Sequence, residues 1–194
     1  MHKIILASNS EVRKKILDEN KIESKVFPSN IDEDSVKKSL LKGNADPELI
    51  SKNLAELKAN KISLKFYNEI VLGADSVIDI DKELVSKPSN REEALEILKK
   101  LNGKTHYLIS SVCISKNGSM IWNYTDKAAL TMKNLTDKQL KEYLSKITDE
   151  ALYAYNVYQI EGEGRSLFSK IEGDEDTIMG LPVKKIKDYL RNLE

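Results

Sequence analysis

The chain contains 194 residues, 40% of them hydrophobic, so it can bury a core of its own. We expect a single domain over residues 1–194, because domains usually span about 100–200 residues. The 31 basic and 31 acidic residues cancel, and this balance argues against nucleic acid or an anionic membrane surface as a direct partner. Any anion-binding site must therefore be local.

Cysteine usage and the first residues bear on the compartment. Cys113 is the only cysteine and lies in an apolar run, where a small buried side chain is its simplest role. The lack of a second cysteine fits a reducing environment. Only four consecutive apolar residues, Ile4 to Ala7, precede the first polar turn, too few for a signal-peptide core or a membrane span. We therefore expect a cytoplasmic protein.

The first predicted unit is a strand that leads directly into a helix. Residues 3–7 predict the strand, and the apolar spacing after the polar turn predicts a helix over residues 11–19. Asp46 and Pro47 are a good N-cap and first-turn pair, and they predict a longer helix that continues to about Ser63.

The middle of the chain predicts a further strand and helix. Residues 69–80 read as a strand that is interrupted by Gly73-Ala74-Asp75-Ser76. Asn90, with Glu93 as its capping-box partner, predicts a helix that stops at Gly103. Asp75 is therefore expected on the sheet.

The remaining elements complete a mixed sheet. Asn117-Gly118 predicts a hairpin between two strands of residues 106–130. Thr136 and Gln139 cap a helix that runs to about Lys146. The tail predicts short strands at residues 157–160 and 167–171, then Gly180-Leu181-Pro182 and a last amphipathic helix to about Leu193. We expect an α/β fold with helices on a mixed sheet.

The turn before the first helix carries hydroxyl groups. Ser8 and Ser10 stand where the first backbone N–H groups of a helix lack partners, and such helix ends attract phosphate. Arg13, one turn further, offers a planar fork of donors that Lys cannot imitate. It is one of only 4 arginines among 31 basic residues. The alternative is an ordinary Ser10 N-cap with Arg13 in solvent.

Asp75 places a carboxylate in the middle of an apolar strand, where an isolated charge is costly to bury. Either the strand ends here and Asp75 faces a cleft, or a cation or a metal neutralises it. A structural hydrogen bond at a strand end is the alternative. Each of these possibilities makes Asp75 a residue whose surroundings must be identified.

Two cations and a second acid could join Asp75. Pro88 forces Lys87 into an extended conformation, so that its ammonium can project from the sheet edge. Glu33 lies in an acidic cluster and Lys58 on the long predicted helix, and each alone could be an ordinary solvated residue. Together with the serines and Arg13, these groups suit phosphoryl chemistry, in which cations hold pyrophosphate, a metal bridges oxygens, and a carboxylate orients or deprotonates water.

Several rival chemistries are less favoured. The sequence contains no P-loop, dinucleotide fingerprint, paired-cysteine zinc spacing or Gly-flanked nucleophilic serine. His2 and His106 are its two histidines and cannot form a ligand cluster of their own.

The same segments resemble the Maf family of nucleotide pyrophosphatases over nearly the whole chain. Leu6-Ala7-Ser8-Asn9-Ser10 matches the family's Leu-Ala-Ser-x-Ser opening, and residues 54–59 match its Leu-Ala-x-x-Lys-Ala helix. Gly73-Ala74-Asp75-Ser76 resembles Gly-Ala-Asp-Thr, Ser86-Lys87-Pro88 resembles Gly-Lys-Pro, and residues 101–106 resemble Leu-Ser-Gly-x-x-His.

This resemblance implies roles for individual residues. Asp75 would be the proton acceptor and, with Glu33, would hold a divalent cation, Mg²⁺ or Mn²⁺. Gln159 and Glu161 would line the nucleobase end. The triphosphate would be held by Ser8, Ser10, Arg13, Lys58 and Lys87.

The resemblance also implies an architecture and a task. An elongated mixed sheet flanked by helices would form two lobes with a cleft between them, commonly as a homodimer. The substrate would be a nucleoside triphosphate, either canonical or modified and noncanonical, whose hydrolysis to monophosphate and pyrophosphate keeps it out of nucleic acids. A role in arresting cell division at the septum is also implied.

The sequence departs from the family pattern at three places, and the third leaves the identity of the nucleobase open. Ser86 replaces a usual Gly and Glu11 a usual Pro, and both are tolerable for the backbone. Tyr153-Ala154-Tyr155-Asn156 replaces the frequent Asp-Lys-Ala-Gly, which removes a cation near the base pocket.

Two other functions remain open: a non-catalytic nucleotide-binding regulator of septum formation, and a structural protein with only ancestral likeness.

Overall fold

The computed structural model describes residues 3–155 and 157–193, without the side chains of residues 153–155. The loss of a cation that we expect at Tyr153-Ala154-Tyr155-Asn156 therefore lies outside the described residues. A 3₁₀ helix spans Glu163–Leu167. The other elements, in chain order, are β1 (Ile4–Leu6), α1 (Glu11–Glu19), β2 (Ser24–Val26), α2 (Glu33–Lys42), α3 (Pro47–Ser63), β3 (Ile70–Ile80), β4 (Glu83–Val85), α4 (Arg91–Leu101), β5 (Thr105–Lys116), β6 (Ser119–Met132), α5 (Asp137–Lys146), α6 (Asp149–Tyr155), β7 (Phe168–Glu172), α7 (Glu175–Ile178) and α8 (Val183–Arg191).

Within the described ranges, seven strands form one mixed sheet. Their order is β2-β1-β3-β5-β6-β7, with β4 paired beside β3. The strand β1 runs parallel to β2 and β3, whereas β3, β5, β6 and β7 are antiparallel neighbours. The hairpin predicted at Asn117-Gly118 is present, and both residues adopt positive φ, at 52° and 82°. The predicted α/β class is confirmed.

Side-chain caps fix the helix starts as predicted, with one exception. The Ser10 and Asp46 side chains accept hydrogen bonds at the starts of α1 and α3, and Thr136 forms a reciprocal capping box at α5. At α4, Asn90 accepts from the Glu93 backbone N–H. The Glu93 carboxylate, however, accepts from the backbone and hydroxyl of Ser89, so the predicted reciprocal box is incomplete.

Three further expectations need correction. Residues 157–160 form turns and coil rather than a strand, although Val157, Tyr158 and Ile160 are buried. An apolar run indicates burial, and here the run is itself a loop packed in the core rather than a paired strand. The strand β3 continues through Gly73-Ala74-Asp75-Ser76 without interruption. Helix α2 was not expected, because its charged sequence resembled a solvated acidic cluster.

One face of the sheet carries two apolar clusters separated by serines. Alternate side chains of β3 point to this face. Leu72 and Ala74 pack in the cluster with α1 and α8, whereas Ile78 and Ile80 pack in the cluster with α4 and α5. Ser76 stands between them, with Ser110 of β5 at 2.9 Å between hydroxyl oxygens. The polar gap between two cores gives the fold its two lobes.

Helix α3 covers the opposite face of the sheet. Its Ala55 and Ala59 pack with Cys113 of β5, and its Ile62 packs with Val71 of β3. In the described part of the chain, no helix is both long and apolar enough to cross a membrane.

Candidate active site

A cleft opens beside Ser76 and is lined by residues from distant parts of the chain. The start of α1, the segment after β4 and the loop before the 3₁₀ helix all reach it. Apolar side chains such as Leu108 and Ile178 share the cleft with cations. Of the residues predicted for the site, the cleft brings together Ser10, Arg13, Lys87, Gln159 and Glu161.

Asp75, Lys58 and Glu33 form a chain of ion pairs that does not line this cleft. Lys58 Nζ lies 2.8 Å from Asp75 Oδ1 and 2.8 Å from Glu33 Oε1. Asp75 is only 4% exposed, whereas the Glu33 side chain is 40% exposed. The sequence alternative in which a cation neutralises Asp75 within the strand is therefore the one observed.

Gly73 explains how Lys58 reaches Asp75. Gly73 and Asp75 point to the same face of β3, toward α3. A Cβ at Gly73 would lie 2.2 Å from the Ala55 carbonyl oxygen, so only glycine allows this approach of the two backbones. The missing side chain of Gly73 thus allows a helix lysine to lie against the strand carboxylate.

The surroundings shift the pKa of both carboxyl groups. Burial raises the pKa of Asp75, and the nearby charges of Lys58 and Arg13 oppose this shift without cancelling it. Burial also acts to raise the pKa of Glu33, but the charge and hydrogen bond of Lys58 outweigh it and leave that pKa lowered. Asp75 Oδ2 has no hydrogen-bond partner among the described residues. The pKa values of the two carboxyl groups thus shift in opposite directions, that of Asp75 upward and that of Glu33 downward.

Arg13 is held by the protein itself. Its Nε donates to the Gly180 carbonyl at 2.9 Å, and its Nη1 donates to Ser8 Oγ and to the Ala74 carbonyl, both at 3.1 Å. Its Nη2 donates to Ser76 Oγ at 3.1 Å. Because guanidinium carries five N–H donors, these bonds leave little capacity for a ligand. Arg13 ties the helix α1 to β3 and to the turn before α8.

The two serines of the opening motif do different things. Ser8 is buried, and its hydroxyl oxygen accepts from the Ser10 backbone N–H at 3.3 Å as well as from Arg13. Ser10 Oγ accepts from the Arg13 backbone N–H at 3.3 Å, as an N-cap, and Ser10 also lines the cleft. The hydroxyl hydrogen of Ser10 can still donate to an anion in the cleft. The N-cap and phosphate interpretations of Ser10 are therefore compatible.

Lys87 lines the cleft from the segment after β4. Partial burial and the nearby positive charge of Arg13 lower its pKa. The negative charge of a bound anion would oppose this shift.

Two contacts with α5 and β5 support the loop that carries Gln159 and Glu161. Tyr143 Oη donates to the Val157 carbonyl at 3.1 Å, and His106 Nε2 lies 2.8 Å from Tyr158 Oη. Gln159 Nε2 donates to Glu161 Oε1 at 3.1 Å, and both residues line the cleft. The amide and the acid are thus presented together by a segment that is hydrogen-bonded to α5 and β5.

Four participants were missed in the sequence. Ser76 and Ser110 bond to one another beside Arg13, although Ser76 follows Asp75 directly in the strand motif. His106 supports Tyr158, and its place at the end of the Leu-x-Gly-x-x-His match was the available signal. Lys37 lines the cleft from α2, and only recognition of that helix could have placed it there.

Glu33 and Asp75 are the carboxylates that could share a cation. Among the described residues, no group of three or more His, Cys, Asp or Glu side chains is arranged as a metal cage. Mg²⁺ is usually bound by one or two carboxylates together with substrate phosphates rather than by an all-protein cage. The unpartnered Asp75 Oδ2 and the exposed Glu33 carboxylate fit that pattern.

Comparison with known proteins identifies the family. The profile described as "Maf-like protein" matches residues 3–193. The chain belongs to the Maf family. A relative named nucleoside triphosphate pyrophosphatase, from Pelagibacter ubique, is 75% identical over 188 residues, and the match covers 97% of this chain and 96% of the relative. A 7-methyl-GTP pyrophosphatase from Rhizobium etli is 36% identical and covers 98% of this chain and 96% of its own length.

Among solved structures, the Ham1 protein of Staphylococcus aureus aligns with 99% of this Maf chain and 100% of its own length. The sequence identity is 11% and the TM-score 0.47. The family assignment rests on the sequence matches.

Proposed function

We propose that this Maf-family chain hydrolyses nucleoside triphosphates to monophosphates and pyrophosphate, with Asp75 as the proton acceptor. The observation that carries this proposal is a cleft rich in cations beside a buried, ion-paired carboxylate. The names of relatives that align over nearly their full length support the same activity.

The cleft suits a nucleotide because it combines two kinds of surface. Lys87, Lys37 and the hydroxyl of Ser10 offer donors and positive charge for phosphates. Leu108 and Ile178 offer apolar contact for a flat base. Arg13 supports the phosphate side by holding Ser8 and the turn at Gly180 in place.

Asp75 suits the role of general base because burial raises its pKa and Oδ2 lacks a partner among the described residues. Lys58 keeps the other oxygen in place and balances its charge. Since Asp75 does not line the cleft, the attacking water would reach it from the side of Glu33, whose carboxylate is exposed.

A divalent cation, Mg²⁺ or Mn²⁺, would be held by Glu33 and Asp75 together with the substrate's phosphates. It would neutralise the charge that develops on the phosphate oxygens. Lys58 would then keep the two carboxylates oriented from behind.

The nucleobase would meet Gln159 and Glu161. An amide and a carboxylate can both pair with the donors and acceptors of a base edge. Here they are bonded to one another and supported by Tyr158. We further propose a homodimer in the cytoplasm as the working form, and the removal of noncanonical nucleotides before incorporation as its task.

The test is a panel of canonical and modified nucleoside triphosphates, each assayed with Mg²⁺ and with Mn²⁺ for both products. Monophosphate and pyrophosphate in equal amounts are expected, because a cationic pocket suits a pyrophosphate leaving group. Diphosphate with orthophosphate as the only products would refute cleavage between the α and β phosphates. Thermal stabilisation by metal and nucleotide without any turnover would favour the non-catalytic regulator instead.

A further inference from the structure

We propose that Lys37 binds the pyrophosphate half of the triphosphate, an inference that rests on the proposed function. Lys37 lies on α2 and lines the same cleft as Ser10, Arg13 and Lys87. Its side chain is 25% exposed, low for a lysine on an outer helix. Much of the Lys37 side chain therefore lies against the protein rather than in solvent.

The local partner of Lys37 leaves its ammonium open to a ligand. Glu33 lies one turn earlier on the same face of α2, with Glu33 Oε2 3.8 Å from Lys37 Nζ. That separation is too long for a hydrogen bond. Glu33 Oε1 is engaged by Lys58 at 2.8 Å. Phosphate oxygens could therefore satisfy the donors of Lys37 without breaking a close contact.

The other cations of the site are less available. Arg13 donates to Gly180, Ser8, Ala74 and Ser76, and Lys58 is enclosed between two carboxylates. A triphosphate carries several negative charges, and a second lysine in the cleft beside Lys87 would balance more of that charge.

The charge arrangement assigns Lys37 to the leaving group. Four charged groups alternate in sign along a chain of ion pairs that runs from the proposed base to the cleft: Asp75, Lys58, Glu33 and Lys37. The positive charge of Lys37 also acts on Lys87, whose pKa it helps to lower. Two neighbouring cations of this kind suit the two phosphates that leave together as pyrophosphate.

The experiment compares Lys37→Met with Lys38→Met. Methionine keeps an unbranched side chain and a good helix propensity while removing the charge. Lys38 is the next residue on α2 and is exposed, so its variant controls for the lost charge and for helix stability. Steady-state kinetics on the best triphosphate, inhibition by inorganic pyrophosphate and by the monophosphate, and calorimetric binding of inorganic tripolyphosphate are measured for each protein.

We expect Lys37→Met to raise KM and the inhibition constant of pyrophosphate by roughly 10-fold to 100-fold, the range for a charge-assisted hydrogen bond. The value of kcat and inhibition by the monophosphate should change little. Lys37→Arg should restore most of the affinity, and Lys38→Met should match the unmodified protein. Equal constants for the Lys37→Met and Lys38→Met proteins would overturn the inference.

Tripolyphosphate binding separates this inference from the proposed function. If the unmodified protein turns over no triphosphate but binds tripolyphosphate, and Lys37→Met weakens that binding, the Lys37 site stands while the proposed reaction fails. If turnover is normal and tripolyphosphate binding is unaffected by Lys37→Met, the reaction stands and the Lys37 site fails.

Discussion

Lys58 Nζ lies 2.8 Å from Asp75 Oδ1, and this ion pair joins helix α3 to the centre of the sheet. Both residues are buried. The same ammonium lies 2.8 Å from Glu33 Oε1, so one cation serves two acids. Removal of one partner from a buried pair leaves an uncompensated charge, which means that substitutions here must be judged on stability and turnover together.

Asp75→Asn tests the proposed base. Asparagine keeps the size of the side chain and loses the charge, while Lys58 keeps Glu33 as a partner. We expect turnover to fall by roughly 100-fold to 10,000-fold, the range for a positioned general base, with a smaller effect on nucleotide affinity. Pyrophosphate release and thermal unfolding are measured on the same sample. Early unfolding with near-normal turnover of the folded protein would contradict the role.

Arg13→Lys tests the clamp between α1, β3 and the turn at Gly180. Lysine retains the charge but cannot reproduce the bonds to Gly180, Ala74 and Ser76 at once. We expect a loss of about 1–3 kcal/mol in the free energy of unfolding, the size of a hydrogen bond to a charged group, and lower turnover. Denaturant unfolding and kinetics below the transition provide the two readouts. Unchanged values in both would show that the clamp is dispensable.

Gly73→Ala tests the close approach of α3 to β3. The added Cβ would lie 2.2 Å from a backbone oxygen of α3, so the helix must shift and draw Lys58 away from Asp75. Overpacking of this kind costs about 1–3 kcal/mol or more, and turnover should fall as well. Gly162→Ala is the control for stability, because its nearest contact would be an ordinary 3.9 Å. Equal melting temperatures of the two variants would refute the explanation.

Gln159→Ala tests the nucleobase end of the cleft. The substitution removes the amide that donates to Glu161 but leaves the support from His106 and Tyr158. We expect the ranking of nucleotides to change more than kcat on the best one, because a base contact discriminates between substrates. The ratio of kcat/KM values across the panel is the measurement. An unaltered ranking would give the segment a structural role.

His106 should make stability fall in mild acid. Burial lowers its pKa from 6.5 to about 4, so the unfolded chain takes up this proton at higher pH than the folded chain does. Stability contributed by the neutral ring is therefore present above pH 6.5 and is lost as the pH falls toward about 4. The linked loss is about 3 kcal/mol. The free energy of unfolding, measured with denaturant across this range, should depend less steeply on pH for His106→Gln than for the unmodified protein. Parallel curves for the two proteins would contradict the assignment.

Local patterns were sufficient for most of the elements. Helix α1 begins and ends as the spacing predicted, and α3 starts at the Asp46-Pro47 pair, because caps and apolar periodicity act within a few residues. The hairpin at Asn117-Gly118 is equally local. The failures fall where a segment's neighbours decide its state: residues 157–160 are buried without a pairing strand, and α2 is a charged helix at the mouth of the site.

The sequence by itself determined the family and its polar residues, because the motifs that contain these residues follow one another along the chain in the order typical of the family. Only the tertiary structure decided their partners. It placed Lys58 between Glu33 and Asp75, consumed most donors of Arg13 within the protein, and brought Lys37 to the cleft. Contacts between residues far apart in the chain depend on how close two backbones come, as Gly73 allows for α3 and β3, and residue spacing along the chain carries no measure of that distance.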